Sequence, residues 1–188
     1  METKLVAADG PHDAGEALPA VPRILGVDPG LQATGYAVVE RNARGPRVLE
    51  AGVIRGAARR APNDIAERVH NLYDSIVGVI EEFRPQVMAI EQLYAHYAHP
   101  RTAILMAHVR GVIILAAAQR RLSVHSYNAT RIKKTLTGNG RAPKDQVQRT
   151  IQRELSLPKL PEPPDVADAL AAALCHYYLV ILPTGKRS

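Results

Sequence analysis

Apolar and polar positions divide the chain into short β-rich runs followed by longer stretches of helical period. Ile24 to Asp28, Thr34 to Glu40 and Val48 to Ile54 are rich in β-branched residues and separated by turn residues such as Pro29-Gly30. They predict an antiparallel start to a sheet. From Asn63, apolar residues recur at Ile65, Val69, Leu72, Ile76, Ile80 and Phe83, with Asn63 placed to cap and Pro85 to close a helix. Gln86 to Ile90 reads as a buried strand that ends at an acid, Glu91. Arg101 to Arg121 is alanine-rich and apolar over most of its surface. One of its faces is expected on the sheet and another against a partner, for which a second copy of the chain is the economical choice. Leu122 to Ser126 is a last short strand, and Asn128 to Thr137 and Lys144 to Leu155 are helices broken apart by Gly138-Asn139-Gly140. Ser156 to Pro164 holds four prolines and cannot be helical, and Asp165 to Leu182 forms a final helix. Strands first, then strands interleaved with helices, predict an α/β fold around one mixed sheet flanked by helices.

The length of 188 residues suits one domain with a substantial core. Residues 1 to 22 are rich in Ala, Gly and Pro and lack the basic start and apolar stretch of a secretory signal, so they read as a disordered extension. Residues 23 to 182 are then the folded domain and 183 to 188 a flexible tail. No apolar run approaches the roughly 18 residues of a membrane span, which argues against a membrane protein. A single cysteine, Cys175, cannot form an intrachain disulfide, and a reducing cytoplasm fits it best.

Charge changes the picture more. A formal net charge of +6 and a pI near 9.7 suggest a polyanionic partner. The charge is uneven: residues 1 to 22 hold four acids against Lys4 alone, whereas residues 120 to 153 hold nine basic residues and one acid, Asp145. On charge alone, a solvated surface helix explains that segment about as well as a nucleic-acid contact does.

Four acids supply candidate chemistry. Asp28 and Glu91 each follow an apolar strand, and Asp165 and Asp168 lie three apart, on one face at the start of the last helix. Each also admits a structural role. Asp28 could open a turn, Glu91 could pair with an arginine, and Asp165 could cap the helix with Asp168 in the capping box. Together, one sheet could bring all four to a common point. Clustered carboxylates repel unless divalent cations neutralise them, and an all-oxygen donor set selects Mg²⁺, with Mn²⁺ able to substitute. Two such ions suit phosphodiester hydrolysis, which would join the acid cluster to the basic segment in a nuclease. Cys175 reads as a core thiol rather than a nucleophile.

Ile24-Leu25-Gly26-Val27-Asp28-Pro29-Gly30, Thr34-Gly35-Tyr36, Ala89-Ile90-Glu91-Gln92, Gly138 through Gln148, and Asp165-Val166-Ala167-Asp168-Ala169-Leu170-Ala171 resemble, in order, the motifs of the RuvC-type Holliday junction resolvases. The resemblance spans roughly residues 23 to 182, and its motifs are specific because they occur in order at appropriate spacing. It implies a ribonuclease-H-like fold, a homodimer, and Mg²⁺-dependent endonuclease action on four-way DNA junctions by paired symmetric nicks in recombination and repair. It also implies branch-migration partners of the RuvA and RuvB type. Carried over by position, Asp28, Glu91, Asp165 and Asp168 match the family's metal-binding catalytic carboxylates. Lys133 and Lys144 match basic positions near the scissile phosphate, and Tyr94 matches an aromatic set against junction bases, with Tyr97 a rival for that role. Lys134 and Arg141, in the same basic region, are further expected DNA contacts. The 22-residue extension has no counterpart in the family's motifs, and His108 and Val109 are bulkier than the resemblance leads one to expect beside Arg110-Gly111. The alternative is another ribonuclease-H-like nuclease, acting on RNA or branched DNA. Asp28-Pro29-Gly30 with Thr34-Gly35 also resembles a phosphate loop of actin-like ATPases, but the second loop and the adenosine pocket are missing.

Overall fold

The structure, a computed structural model, describes residues 5–6, 22–55, 65–92 and 100–181. Along the chain run β1 (Leu5–Val6), β2 (Ile24–Asp28), β3 (Ala33–Asn42), β4 (Gly45–Arg55), α1 (Ile65–Phe83), β5 (Val87–Glu91), α2 (Pro100–Gln119), β6 (Ser123–Tyr127), α3 (Ala129–Thr137), α4 (Lys144–Glu154) and α5 (Pro164–His176). A π-helical turn, Tyr177–Ile181, follows α5. The strands form one sheet in the order β1-β4-β3-β2-β5-β6. β2, β3 and β4 are antiparallel neighbours, whereas β5 runs parallel to β2 and β6 parallel to β5. This is the expected mixed sheet flanked by helices.

Strand periodicity sorts side chains onto two faces. Leu25, Val27, Val38, Met88 and Ile90 pack against Leu72, Ile76 and Ile80 of α1 and Val109 and Ile113 of α2. Their strand neighbours Ile24, Ala37, Val39 and Ala89 meet α5, with Ile132 and Leu136 of α3 and Val147 and Ile151 of α4 behind it. α5 is buried almost all round and rich in alanine, so its backbone lies close to the sheet. Gly26 of β2 makes that approach possible, because a Cβ there would stand 2.2 Å from the Ala169 carbonyl oxygen.

Three features depart from the sequence reading. Leu5–Val6, inside the stretch expected to be disordered, pair antiparallel with Ala51 and Glu50 at the edge of β4. The final helix gives way at Tyr177 to the π-helical turn rather than running on as a regular helix to Leu182. The third departure is α2, where Arg101–Gln119 has a mean hydropathy of 1.6 and is long and apolar enough, by length and composition, to cross a membrane. Averaging conceals what interrupts it. Arg110 turns toward the sheet, Val109, Ile113, Ala116 and Ala117 pack on it, and Ile104, Ala107, His108, Gly111 and Leu115 form an exposed stripe. Val109 therefore belongs to the core, and His108 folds its ring back so that Nδ1 lies 2.8 Å from the Ile104 carbonyl oxygen. Asn63 lies outside the described residues, as do Tyr94, Tyr97 and the rest of 93–99.

Candidate active site

The parallel pairing of β2 with β5 aligns Val27 with Ile90, so the next residues, Asp28 and Glu91, stand side by side where both strands end. Apolar residues hold both strands in the core up to that point, and the polar ends emerge together. Asp28 is paired on its other side with Gly35 of β3. A Cβ on Gly35 would lie 2.0 Å from the Asp165 carbonyl oxygen, so the missing side chain lets the first turn of α5 settle directly beside Asp28. Pro163 caps α5 with no side-chain hydrogen bond and Pro164 occupies the first turn, so Asp165 does not serve as the cap. Asp168, one turn on, projects into a cleft of about 240 Å³ lined by Glu91, Ala129, Ile132, Lys133, Lys144, Val147, Asp168 and Ala171.

Electrostatics couple the acids to one another. Burial, followed by repulsion from Glu91, Asp168 and Asp165, pushes the Asp28 carboxyl up to about 7, against a partial pull from Lys144. Burial and then Asp168 raise Glu91, while Lys133 and Lys144 oppose the shift. Lys144 donates to Asp168 Oδ2 at 3.0 Å. Among the described residues no hydrogen bond or ion pair engages the carboxylates of Asp28, Glu91 or Asp165, so no arginine there pairs with Glu91. Nor do three acid, histidine or cysteine side chains among those residues converge as a ready-made metal cage. The donor set is nonetheless all oxygen, and its mutual repulsion is what a divalent cation would relieve. The residues fit a hard cation better than zinc.

The opposite wall of the cleft is basic. Asn128, expected as the first helical residue, is instead the cap of α3, its side chain accepting from the Arg131 N–H at 2.7 Å. Lys133 lies one turn into α3 on the cleft side, and Lys144 opens α4 after Pro143. Lys134 and Arg141 are exposed and do not line the cleft. Gly138, at φ 78°, ends α3 with its N–H on the Lys134 carbonyl, which turns the chain toward Lys144.

Two features escaped the sequence reading. Arg110 of α2 donates through Nη1 to the Glu91 carbonyl and through Nη2 to Ser126 Oγ at 2.7 Å. A charge in the middle of an apolar helix was the available signal. Beneath β6, the Tyr127 hydroxyl lies 2.8 Å from Nδ1 of buried His176, which burial and then His125 push down to about 4. A neutral imidazole with Nδ1 unprotonated can accept that bond, steadying the residue paired with Glu91.

The sequence profile of the family described as "Crossover junction endodeoxyribonuclease RuvC" matches residues 24–176. A protein of that name from Rhodopirellula baltica is 49% identical over 165 residues, 87% of this chain and 90% of the relative. Another, from Hydrogenovibrio crunogenus, is 41% identical over 154 residues, 82% of this chain and 86% of the relative. Thermus thermophilus RuvC in complex with a Holliday junction substrate superposes with a TM-score of 0.76 at 28% identity, covering 84% of this chain and 93% of that one. A yeast mitochondrial Holliday junction resolvase, at 15% identity over 82% of this chain and 78% of its own, shares the fold with a TM-score of 0.59.

Proposed function

The chain belongs to the family of RuvC crossover junction endodeoxyribonucleases, and from that premise we propose that it resolves four-way (Holliday) DNA junctions by metal-dependent phosphodiester hydrolysis in recombination and repair. The observation that carries the reading is a cleft whose floor carries Glu91 and Asp168 and whose wall carries Lys133 and Lys144, with Asp28 and Asp165 outside its lining but electrostatically coupled to the same acids. Asp28, Glu91, Asp165 and Asp168 are the residues that would hold two Mg²⁺ ions, with Mn²⁺ as a substitute; such ions supply an activated water and stabilise the leaving oxygen. The chain's own residues do the rest. The sheet ends hold the acids at a fixed height, and the two lysines draw a phosphate down onto them. Lys134 and Arg141, outside the cleft, add phosphate attraction along the bound strand. Tyr94, at the position the family resemblance marks for stacking on junction bases, completes the proposed contacts.

Two such sites are needed for paired nicks, and α2 supports a homodimer. Its exposed stripe puts Ile104, 59% exposed, and Leu115, 50% exposed, on either side of the small residues Ala107 and Gly111. Nothing lies within 4 Å of the position a Gly111 Cβ would occupy, which leaves room for a second copy to approach the backbone. A two-fold axis through that face would present two equivalent clefts to strands of like polarity, leaving ligatable ends. RuvA- and RuvB-type branch-migration proteins are the further partners the family implies, and a cytoplasmic setting suits the free, buried Cys175.

Incubating the protein with a synthetic four-way junction, a linear duplex and an RNA–DNA hybrid, each with and without Mg²⁺, tests the reading. Paired nicks on the junction alone, and only with metal, are expected. Equal cutting of linear duplex, or an intact junction in the presence of metal, would overturn it.

A further inference from the structure

We infer that Arg110 is a positioning residue for Glu91: through its guanidinium, α2 sets the height and direction of that acid on the floor of the cleft. The inference rests on the nuclease reading above and adds to it a residue outside the acid and lysine sets.

Between Arg101 and Arg120 the chain carries one formal charge, Arg110, in a helix otherwise built of apolar and small residues. The side chain is half-buried, and burial lowers its pKa from the ordinary arginine value without removing its charge. Among the described residues no carboxylate pairs with it. Both of its bonds instead reach the ends of neighbouring strands. Nη1 takes the Glu91 carbonyl at the last residue of β5, and Nη2 takes Ser126 Oγ at 2.7 Å, one residue before Tyr127, which is the register partner of Glu91. Gln92 closes the same corner by donating its N–H to the Tyr127 carbonyl at 2.8 Å.

The guanidinium therefore bridges β5 and β6 at the step where the Glu91 side chain leaves the sheet. Burying a charge without a counter-charge is unfavourable, and an apolar side chain of similar length would fill the space without that penalty. What an apolar residue cannot do is hold a strand-end carbonyl and a hydroxyl in one rigid plane, which is the use of arginine's fork. Because a catalytic group displaced by about 1 Å can cost on the order of a hundredfold in rate, a loosened corner would register in cleavage long before it registered in folding.

The test uses the full chain and a synthetic four-way junction. Single-turnover cleavage in Mg²⁺, junction affinity in Ca²⁺ and thermal stability are measured for wild type, R110M, S126A and R110M/S126A. R110M is expected to cut about 30- to 100-fold more slowly at saturating enzyme, with affinity within about twofold of wild type. S126A is expected to lose about two- to fivefold, and the double variant to cut no more slowly than R110M, because Ser126 acts only through the guanidinium. Wild-type rate in R110M, an affinity loss that accounts for the rate loss, or multiplying losses in the double variant would each overturn the inference. Should R110M fail to fold, S126A decides: slower cleavage at unchanged affinity supports the inference, and an unchanged rate overturns it. A wild-type protein that leaves the junction intact overturns the nuclease reading as well, which distinguishes the two failures.

Discussion

The acidic floor, Glu91 and Asp168 in the cleft with Asp28 and Asp165 outside its lining, and the basic wall are built to different tolerances. Asp28 and Glu91 end strands buried in the sheet, and Asp165 and Asp168 ride on a helix whose backbone touches that sheet through Gly26 and Gly35. Lys133 and Lys144, by contrast, stand on α3 and α4, which attach through the short apolar rows Ile132 and Leu136, and Val147 and Ile151. Apart from buried Thr150, the remaining residues of those helices are partly or fully exposed. The proposed sharing of cations by these carboxylates calls for fixed spacing, which elements packed this closely can supply. The proposed contact of the lysines with phosphate tolerates a range of distances, since the attraction is to charge rather than to shape.

The contrast can be broken most sharply at the floor. Asp28→Asn is expected to lower junction cleavage by more than about a thousandfold, equivalent to ~4 kcal/mol, while junction affinity measured without catalytic metal holds or rises. Loss of affinity in the folded variant would assign Asp28 a structural role instead. Gly35→Ala places a Cβ 2.0 Å from the Asp165 carbonyl, and should cost about 1–3 kcal/mol in chemical denaturation while displacing α5. Gly78 of α1 is the control, because nothing lies within 4 Å of its missing Cβ and alanine there should stabilise by about 0.5–1 kcal/mol.

At the wall the effects shrink. Lys144→Met removes the cation on Asp168 and is expected to slow cleavage by about 10- to 100-fold, with a smaller loss of affinity. A pH series compares the two regions in the metal-free protein. Folding holds the Asp28 carboxyl at about 7 instead of 3.8, so the folded chain binds that proton more tightly than the unfolded chain does. The resulting stabilisation is complete below about pH 4 and is lost as pH rises through about 7. Melting temperature in chelator should therefore fall across that window, the fall should flatten in Asp28→Asn, and Mg²⁺ should offset it at neutral pH. The smallest changes belong to Lys134→Ala and Arg141→Ala. Each should weaken junction binding about two- to threefold and reduce the salt slope of log K by about 0.9, leaving the saturated rate alone.

Much of this was legible in the chain. Hydrophobic period located β2 through β6 and all five helices, with the bounds within a few residues except at the end of the last helix, since it reports directly on which face of a local element is buried. The candidate acids were visible for the same reason: each interrupts a pattern that core packing would have filled with apolar residues. Errors clustered where local cues compete. Asn128 looked like the first residue of a helix and proved to be its cap, and the last helix changed its hydrogen-bond period at Tyr177 with no proline to mark the change. For α2 the expected face on the sheet is there, but the absence of a span-length apolar run is not, because an apolar helix that packs one face on a sheet and exposes another has the same average as one that spans a membrane.

Sequence by itself determined the inventory: a mixed α/β sheet, four acids at element ends, a basic segment and an apolar helix, all properties of neighbours along the chain. Tertiary structure decided the convergence. Parallel register set Glu91 beside Asp28, and glycines at 26 and 35 acquired their meaning only when α5 came to lie on them. The guanidinium of Arg110 found its partners 19 and 16 residues away on two other strands. Spacing along a chain specifies which side chains share a face; which faces meet depends on strand register and on how closely two backbones can approach, and those are settled only when the whole core is packed.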